Sequence, residues 1–408
     1  MMNTTAHSCA SASWLQAMGF DPDGNIYSPI VSKRNPLVKS TAMYEAACAG
    51  ELEVCKFVLS AAAERARPAD GPAPTRVAAS NGATPMFAAC YQGHMDIAVW
   101  LLENGAGDDL RKRAHEGDTP LWAACTQGHL ETAKWLFEIG AAEDIRVKTN
   151  IGLSPMLASC RQGHLDVAMW LFEVGAAEDI RTKTINGRTP MYASCFEGRL
   201  DVCKWLFAVG AAEDIRTTES EDDRTPMFIA CANGHLDVAR WLFEVGAAED
   251  IRAQDNSGIT PMHVACLEGH LGVAQWLYRS GAAPDVRTPD GDGTTPVFSA
   301  CVFGELRVAQ WLCEAGAAAD VRTPRDSDGG GHGGDTPLSV AASANDTAVV
   351  QWLVLAGAAL EEVLVSRGDG SAPALDAVPV FGLVRTRRAI PSALGILHAQ
   401  PAVRASLR

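Results

Sequence analysis

The sequence predicts a mostly α-helical solenoid: stacked helix-turn-helix units with projecting hairpin loops. Two observations predict it. A Thr-Pro or Ser-Pro pair recurs at Thr84-Pro85, Thr119-Pro120, Ser154-Pro155, Thr189-Pro190, Thr225-Pro226, Thr260-Pro261, Thr295-Pro296 and Thr336-Pro337, in steps of 35, 35, 35, 36, 35, 35 and 41 residues. A tryptophan follows each Thr or Ser after 16 residues: Trp100, Trp135, Trp170, Trp205, Trp241, Trp276, Trp311 and Trp352. A period of this length belongs to architectures whose units stack because none can bury its apolar face alone.

Each element of the unit follows from its residues. Thr or Ser is a favoured N-cap because its oxygen accepts from a free backbone N–H, and proline at the first helical position has no donor to lose. A short first helix therefore begins at each pair. Nine residues after the Thr or Ser, Gly93, Gly128, Gly163, Gly198, Gly234, Gly269 and Gly304 supply the left-handed conformation that ends it, with Asn345 in the last copy. A second helix follows, as in Leu165-Asp166-Val167-Ala168-Met169-Trp170-Leu171-Phe172-Glu173. At 100° per residue Leu165, Val167, Ala168, Leu171 and Phe172 share one face, with Trp170 at its border and Asp166, Met169 and Glu173 opposite. The chain then runs through Asp-(Ile/Leu/Val)-Arg into a polar turn, which suits an extended hairpin.

These periods divide the chain. Residues 1–40 show no repeat pattern and stay unassigned. The array spans 41–366, with copies starting near 41, 84, 119, 154, 189, 225, 260, 295 and 336. The copy at Thr41 is weaker, with Ala42 for proline and Phe57 for tryptophan, and is expected to act as an N-terminal cap. Ala61 to Ser80 and Arg325 to Gly334 break the period and are expected to be mobile loops. Residues 367–408 form a basic, apolar tail, six Arg against Asp369 and Asp376, expected to add one or two helices that close the stack.

Composition bounds the rest. With 408 residues, 47% of them apolar and 20% charged, the chain can bury a substantial core. A net charge of −15 repels phosphate backbones, so no nucleic-acid partner is expected. Met1 to Met18 lacks a basic leader, and no stretch approaches the apolar length of a membrane span. The expectation is a protein of the cytoplasm or nucleus, monomeric, with no membrane partner.

Thr260-Pro261-Met262-His263-Val264-Ala265 resembles the Thr-Pro-Leu-His-x-Ala signature of the ankyrin-repeat family, and Gly234-His235-Leu236-Asp237-Val238-Ala239 resembles its helix-linking turn. The resemblance spans roughly Thr41 to Glu362. Departures are the 35-residue period in place of 33, the Phe87, Trp122, Leu157, Tyr192 and Phe228 at the signature histidine, and the Glu-Asp-Ile-Arg run. The resemblance implies a partner-binding protein that uses the ends of the first helices and the hairpin tips.

Comparison of the copies locates that surface independently. Framework positions repeat because every unit solves one packing problem; positions that differ are free to be shaped from outside. The variable set comprises Tyr91, Gln92, Thr126, Arg161, Phe196, Glu197, Leu267, Glu268 and Phe303 before the glycine caps. At the tips it comprises His115, Glu116, Arg188, Asp222 and Arg224. Aromatic and leucine anchors ringed by polar groups would line a concave groove for a protein partner. The alternative is drift at exposed sites.

No catalytic apparatus is visible: there is no Gly-x-Ser-x-Gly, His-Glu-x-x-His or Cys-x-x-Cys, and Gly329 to Gly334 lacks the Gly-Lys-Ser/Thr of a phosphate loop. Cys90, Cys125, Cys160, Cys195, Cys231, Cys266 and Cys301 occupy one first-helix position, five of them with a histidine four residues on. Zinc is the sharper reading and small core residues the plainer one, because stacked helices lie about 8–10 Å apart. That spacing also exceeds the Cα limit of about 7 Å for a disulfide. The histidines are expected to hydrogen-bond at the turns, and the tryptophans to pack rather than stack on bases. The seven Asp-x-Arg pairs, Asp109/Arg111 to Asp320/Arg322, are expected to form exposed charge ladders worth under about 1 kcal/mol per pair. Neither metal nor cofactor is expected. The resulting function is a non-enzymatic interaction scaffold; the alternative is an adaptor that links a bound protein to a second complex, such as a ubiquitin ligase, through the tail.

Overall fold

The computed structural model describes residues 2–22, 29–33, 38–64, 73–325 and 334–358, with side chains from residue 10 onward. The tail at 367–408, most of the loop at Arg325 to Gly334 and residues 65–72 lie outside the described residues. The chain divides into two compact units, one ending at Asp214 and one beginning at Ile215.

In the first unit, helix pairs are α2 (Ala42–Ala49) with α3 (Leu52–Glu64), α4 (Pro85–Gln92) with α5 (Met95–Glu103), α6 (Pro120–Thr126) with α7 (Leu130–Leu136), α8 (Pro155–Gln162) with α9 (Leu165–Leu171), and α10 (Pro190–Phe196) with α11 (Leu200–Leu206). Thr84, Thr119, Ser154 and Thr189 each accept from the backbone N–H three residues on, at 3.2 Å. A cap of this kind contributes about 1 kcal/mol. The closing glycines hold φ of +70° to +87°. Successive first helices pack against one another, α2 on α4, α4 on α6, α6 on α8 and α8 on α10. Small Ala, Ser and Cys side chains permit that approach, while Ile97, Leu101, Leu136, Leu171 and Leu206 seal the second helices from solvent. The second unit repeats the plan with α12 (Pro226–Ala232) and α13 (Leu236–Glu244), α14 (Pro261–Leu267) and α15 (Leu271–Leu277), α16 (Pro296–Val302) and α17 (Leu306–Leu312), and α18 (Pro337–Ser343) and α19 (Thr347–Leu355).

The unassigned N-terminal residues contain α1 (Met2–Met18), which packs on α3, and two short antiparallel strands, β1 (Ile30–Val31) and β2 (Lys39–Ser40). Leu15 and Phe20 are buried, so α1 covers the first pair. Ala61 to Ser80 is only partly the loop expected of it. Ala61 and Ala62 are buried in α3, and Pro74-Thr75-Arg76 forms a 3-10 turn at the place where later copies carry Asp-Ile-Arg. The Ala, Pro and Arg content of this stretch masked that turn.

Two further expectations change. Asp-Ile-Arg is not extended: after each second helix the chain bends and forms a 3-10 turn, such as Ala142–Arg146 or Ala177–Arg181. Only the residues beyond it form the hairpin, closed by Ala114 N to Asp118 O, Thr149 N to Leu153 O and Thr184 N to Arg188 O at 2.9–3.0 Å. The charge ladders are also not exposed pairs. Asp109, Asp144, Asp179, Asp250, Asp285 and Asp320 are at most 3% exposed. Each is gripped by the arginine of the preceding copy: Arg76 to Asp109, Arg111 to Asp144, Arg146 to Asp179, Arg181 to Asp214 in the first unit. Arg216 to Asp250, Arg252 to Asp285 and Arg287 to Asp320 do the same in the second, at 2.8 Å. In the first unit and at Arg216 the outer guanidinium nitrogens also meet an exposed acid of the same neighbour, Asp108, Glu143, Glu178, Glu213 or Glu249. The ladder is an inter-repeat clamp, because the 3-10 turn tucks Asp inward while Arg reaches forward. Oδ2 of Asp109, Asp144, Asp179 and Asp250 is buried with no hydrogen-bond partner among the described residues. Burial accordingly raises the pKa of Asp109, Asp144 and Asp250 above the ordinary carboxylate range, against the pull of the arginines.

Candidate protein-binding surface

Side chains at the ends of the first helices and at the hairpin tips include many of those the framework leaves at the surface. Tyr91 and Gln92 are exposed at the end of α4, with the Tyr91 ring stacked on Phe87 at 6.2 Å. Arg161 is exposed at the end of α8 and its Nε donates to Glu197 Oε1 at 3.1 Å. In the second unit Leu267 is half-buried, Glu268 exposed, and the Phe303 ring 59% exposed. Thr126 does not belong to this set: it is buried, and its hydroxyl donates to Trp122 O at 2.8 Å. A β-branched hydroxyl on a helix bonds back to its own backbone, which variation between copies does not reveal.

The tips are ordered by one another. Within the first unit His115 N donates to Asn81 O, Asn150 N to Glu116 O and Ile185 N to Ile151 O, at 2.8–3.3 Å. Asn150 Nδ2 adds a bond to His115 O at 2.7 Å, as Asn256 Nδ2 does to Glu221 O in the second unit at 3.2 Å. His115 and Glu116 thus keep exposed side chains on a fixed backbone. Asp222 and Arg224 are less available than expected. Arg224 pairs with Asp222 at 3.0 Å and with buried Asp255 at 3.2 Å, and lies over the Phe228 ring at 5.4 Å.

In the first unit, variable positions converge on one cavity of about 270 Å³. Leu157, Tyr192, Ala193 and Phe196 form its floor, and the tips bring Ile151, Leu153 and Ile185 to its wall. Arg161 and Arg188 stand at its rim, the Arg188 guanidinium 6.0 Å from the centre of the Tyr192 ring. Of the expected residues the structure thus brings Arg161, Arg188 and Phe196 together, with Glu197 bonded to Arg161. In the sequence Leu157 and Tyr192 stand out only as departures from the signature histidine. Their place at the same first-helix position was the available sign that they share a floor.

Elsewhere the chemistry is that of packing. The seven aligned thiols are buried, and burial pushes the thiols of Cys90, Cys125, Cys160, Cys231, Cys266 and Cys301 far above the usual range. Cys195 Sγ lies 3.7 Å from Cys203 Sγ, a contact between the two helices of one copy that the column of seven does not suggest. Among the described residues no three His, Cys, Asp or Glu side chains are grouped as metal ligands. The turn histidines act across copies: His270 Nε2 lies 3.1 Å from Ala232 O of the preceding turn. The tryptophans pack edge-on against the preceding copy, Phe137 with Trp170 and Phe172 with Trp205 in one unit, Phe243 with Trp276 and Tyr278 with Trp311 in the other, at 5.8–5.9 Å.

A family model described as ankyrin repeats, in blocks of three copies, matches residues 70–149, 139–219, 209–288 and 281–362, well over half of the chain. The chain is an ankyrin-repeat protein. No curated protein matches the sequence at a significant level. Ankyrin repeats are in general protein–protein interaction modules, and the surface they present here is built from the framework outward. Helix caps and the Arg–Asp clamp fix each ankyrin unit, and the exposed ends vary freely on that support. The pair α2 and α3 lies outside the matched ranges but carries the same caps, Thr41 accepting from Tyr44 N and Gly50 at φ +79°. No helix among the described residues is long and apolar enough to cross a membrane.

Proposed function

We propose that this ankyrin-repeat protein is a non-enzymatic scaffold that holds a segment of a partner protein against its first-helix ends and hairpin tips. The observation that carries the reading is that four of the seven exposed large apolar side chains among the described residues, Tyr91, Ile151, Ile185 and Phe303, lie at those positions. An exposed ring flanked by polar groups is how interfaces concentrate affinity. Backbone bonds between successive tips hold the loops before any partner arrives, which lowers the ordering cost of binding.

The test is capture from cell extract by the native chain beside two variants, Tyr91→Ala/Phe196→Ala in the first unit and Leu267→Ala/Phe303→Ala in the second. Circular dichroism first establishes that all three fold. Partners retained by the native chain and lost from either variant support the reading. Identical captured sets would move the partner to another surface, the outer acidic columns or the tail.

A further inference from the structure

We propose that Cys195 and Cys203 are a redox pair, which a small-molecule disulfide such as oxidised glutathione converts into a disulfide bond that staples α10 to α11. The bond concerns the core of one helix pair and stands independently of the scaffold reading.

Comparison of the copies isolates the pair. Cys195 belongs to the first-helix column that also holds Cys90, Cys125, Cys160, Cys231, Cys266 and Cys301. Eight residues later, on the second helix, those six copies carry Ala98, Ala133, Ala168, Ala239, Ala274 and Ala309. In the copy that begins at Thr41 the order is reversed, with Ala47 and then Cys55. Each of these pairs therefore has one thiol and one methyl group at the two positions, and α10 with α11 alone has two thiols. Cys195 Sγ and Cys203 Sγ lie 3.7 Å apart, and neither residue is exposed. A disulfide needs about 2.05 Å, so the gap to close is about 1.6 Å, between neighbouring helices joined by one tight turn. The thiol of Cys160 in the preceding copy is turned elsewhere, toward Met156 Sδ at 3.9 Å.

The bond forms by exchange. One thiol gives up its proton, and its thiolate attacks a sulfur of oxidised glutathione, making a mixed disulfide and releasing a glutathione thiolate that takes up a proton. The second cysteine loses its proton in turn, attacks the protein-side sulfur and expels the other glutathione. Two electrons and two protons pass from the pair to glutathione. Burial holds the Cys195 thiol well above its ordinary range, so exchange waits for α10 and α11 to part. Once made, the bond closes a loop of nine residues and restrains that opening. Because α10 carries Tyr192, Ala193 and Phe196, the redox state sets how firmly the cavity floor is held.

The test is incubation of the reduced full-length chain with oxidised glutathione, in buffer and in urea below the unfolding transition, beside Cys203→Ala. That variant restores the alanine of six other copies and is expected to keep the fold. Remaining thiols are alkylated and the chain is cut with trypsin without reduction. Cleavage after Arg188, Arg199 and Lys204 places the two cysteines on separate peptides, 189–199 and 200–204. The expected result is a linked pair of these peptides that reduction separates and Cys203→Ala lacks, with a melting temperature about 3 °C or more above that of the reduced chain. No linked pair in either condition overturns the proposal. So does Cys203 linked to Cys160, a product that stops at the glutathione mixed disulfide, or a linked chain no more stable than the reduced one.

Discussion

The Arg–Asp clamp has unequal halves. Arg111 is exposed at its outer end whereas Asp144 is buried, so removing one partner is not equivalent to removing the other. Arg111→Ala strands a desolvated carboxylate and is expected to cost about 2–3 kcal/mol; Asp144→Asn releases the guanidinium to water and is expected to cost about 1 kcal/mol. Urea unfolding of the two variants measures the order, and equal losses would mean that the burial of Asp144 carries no energetic weight. His263 gives a pH signature. It is 1% exposed, its Nε2 lies 2.7 Å from Ser299 Oγ, and burial lowers its pKa to about 4. The folded chain therefore keeps a neutral imidazole while the unfolded chain takes a proton below about pH 6.5. Stability from this group is complete above pH 6.5 and is lost as the pH falls toward 4, by about 3 kcal/mol. The native protein's advantage over His263→Gln is expected to shrink by that amount between pH 7 and pH 4; a constant difference would contradict it.

At the scale of the helix pair, each closing glycine answers two demands. Gly234 holds φ +76°, and a Cβ there would stand 2.7 Å from the His270 ring of the following copy. Asn345 at the last of these positions adopts φ +58° with an exposed side chain, which meets the conformational demand alone. Gly234→Asn is therefore expected to cost about 2–3 kcal/mol, with part of it recovered by adding His270→Ala. Thermal unfolding of the single and double variants decides this, and an additive double variant would remove the ring from the account. The caps, the left-handed glycines and the buried faces of these elements were all legible in the sequence, because each is set by residues within one period. The inward turn of Asp109, Asp144 and their equivalents was not: it depends on where the 3-10 turn places them relative to the next copy, 33 residues away in the Arg111 to Asp144 pair. The candidate binding positions were legible only as variation. Variation marked Phe196 and Arg161, which line the cavity, and equally Thr126, which turns back onto its own helix.

For the whole molecule, stability is a sum of copy and neighbour terms, since packing within each unit joins adjacent pairs. A cavity cut into one pair should then loosen that pair before distant ones. Leu353 is fully buried in α19, the last described helix, and Leu353→Ala is expected to cost about 2–5 kcal/mol. Hydrogen exchange should accelerate across α18 and α19 while α6 to α10 keep their protection; uniform acceleration would show one all-or-none transition instead.

The clamp also gives the array a direction of growth. From Asp109/Arg111 onward each described copy offers an arginine ahead and an aspartate behind, until Arg322, whose Nε donates at 2.6 Å to the backbone oxygen of Gly357. A stretch of gene duplicated at any copy boundary within a unit therefore arrives with both halves of the contact already matched to its new neighbours. Lengthening such an array needs no compensating change to this contact at the seam, so a new pair of tips arises on a backbone whose clamp is complete from the first generation.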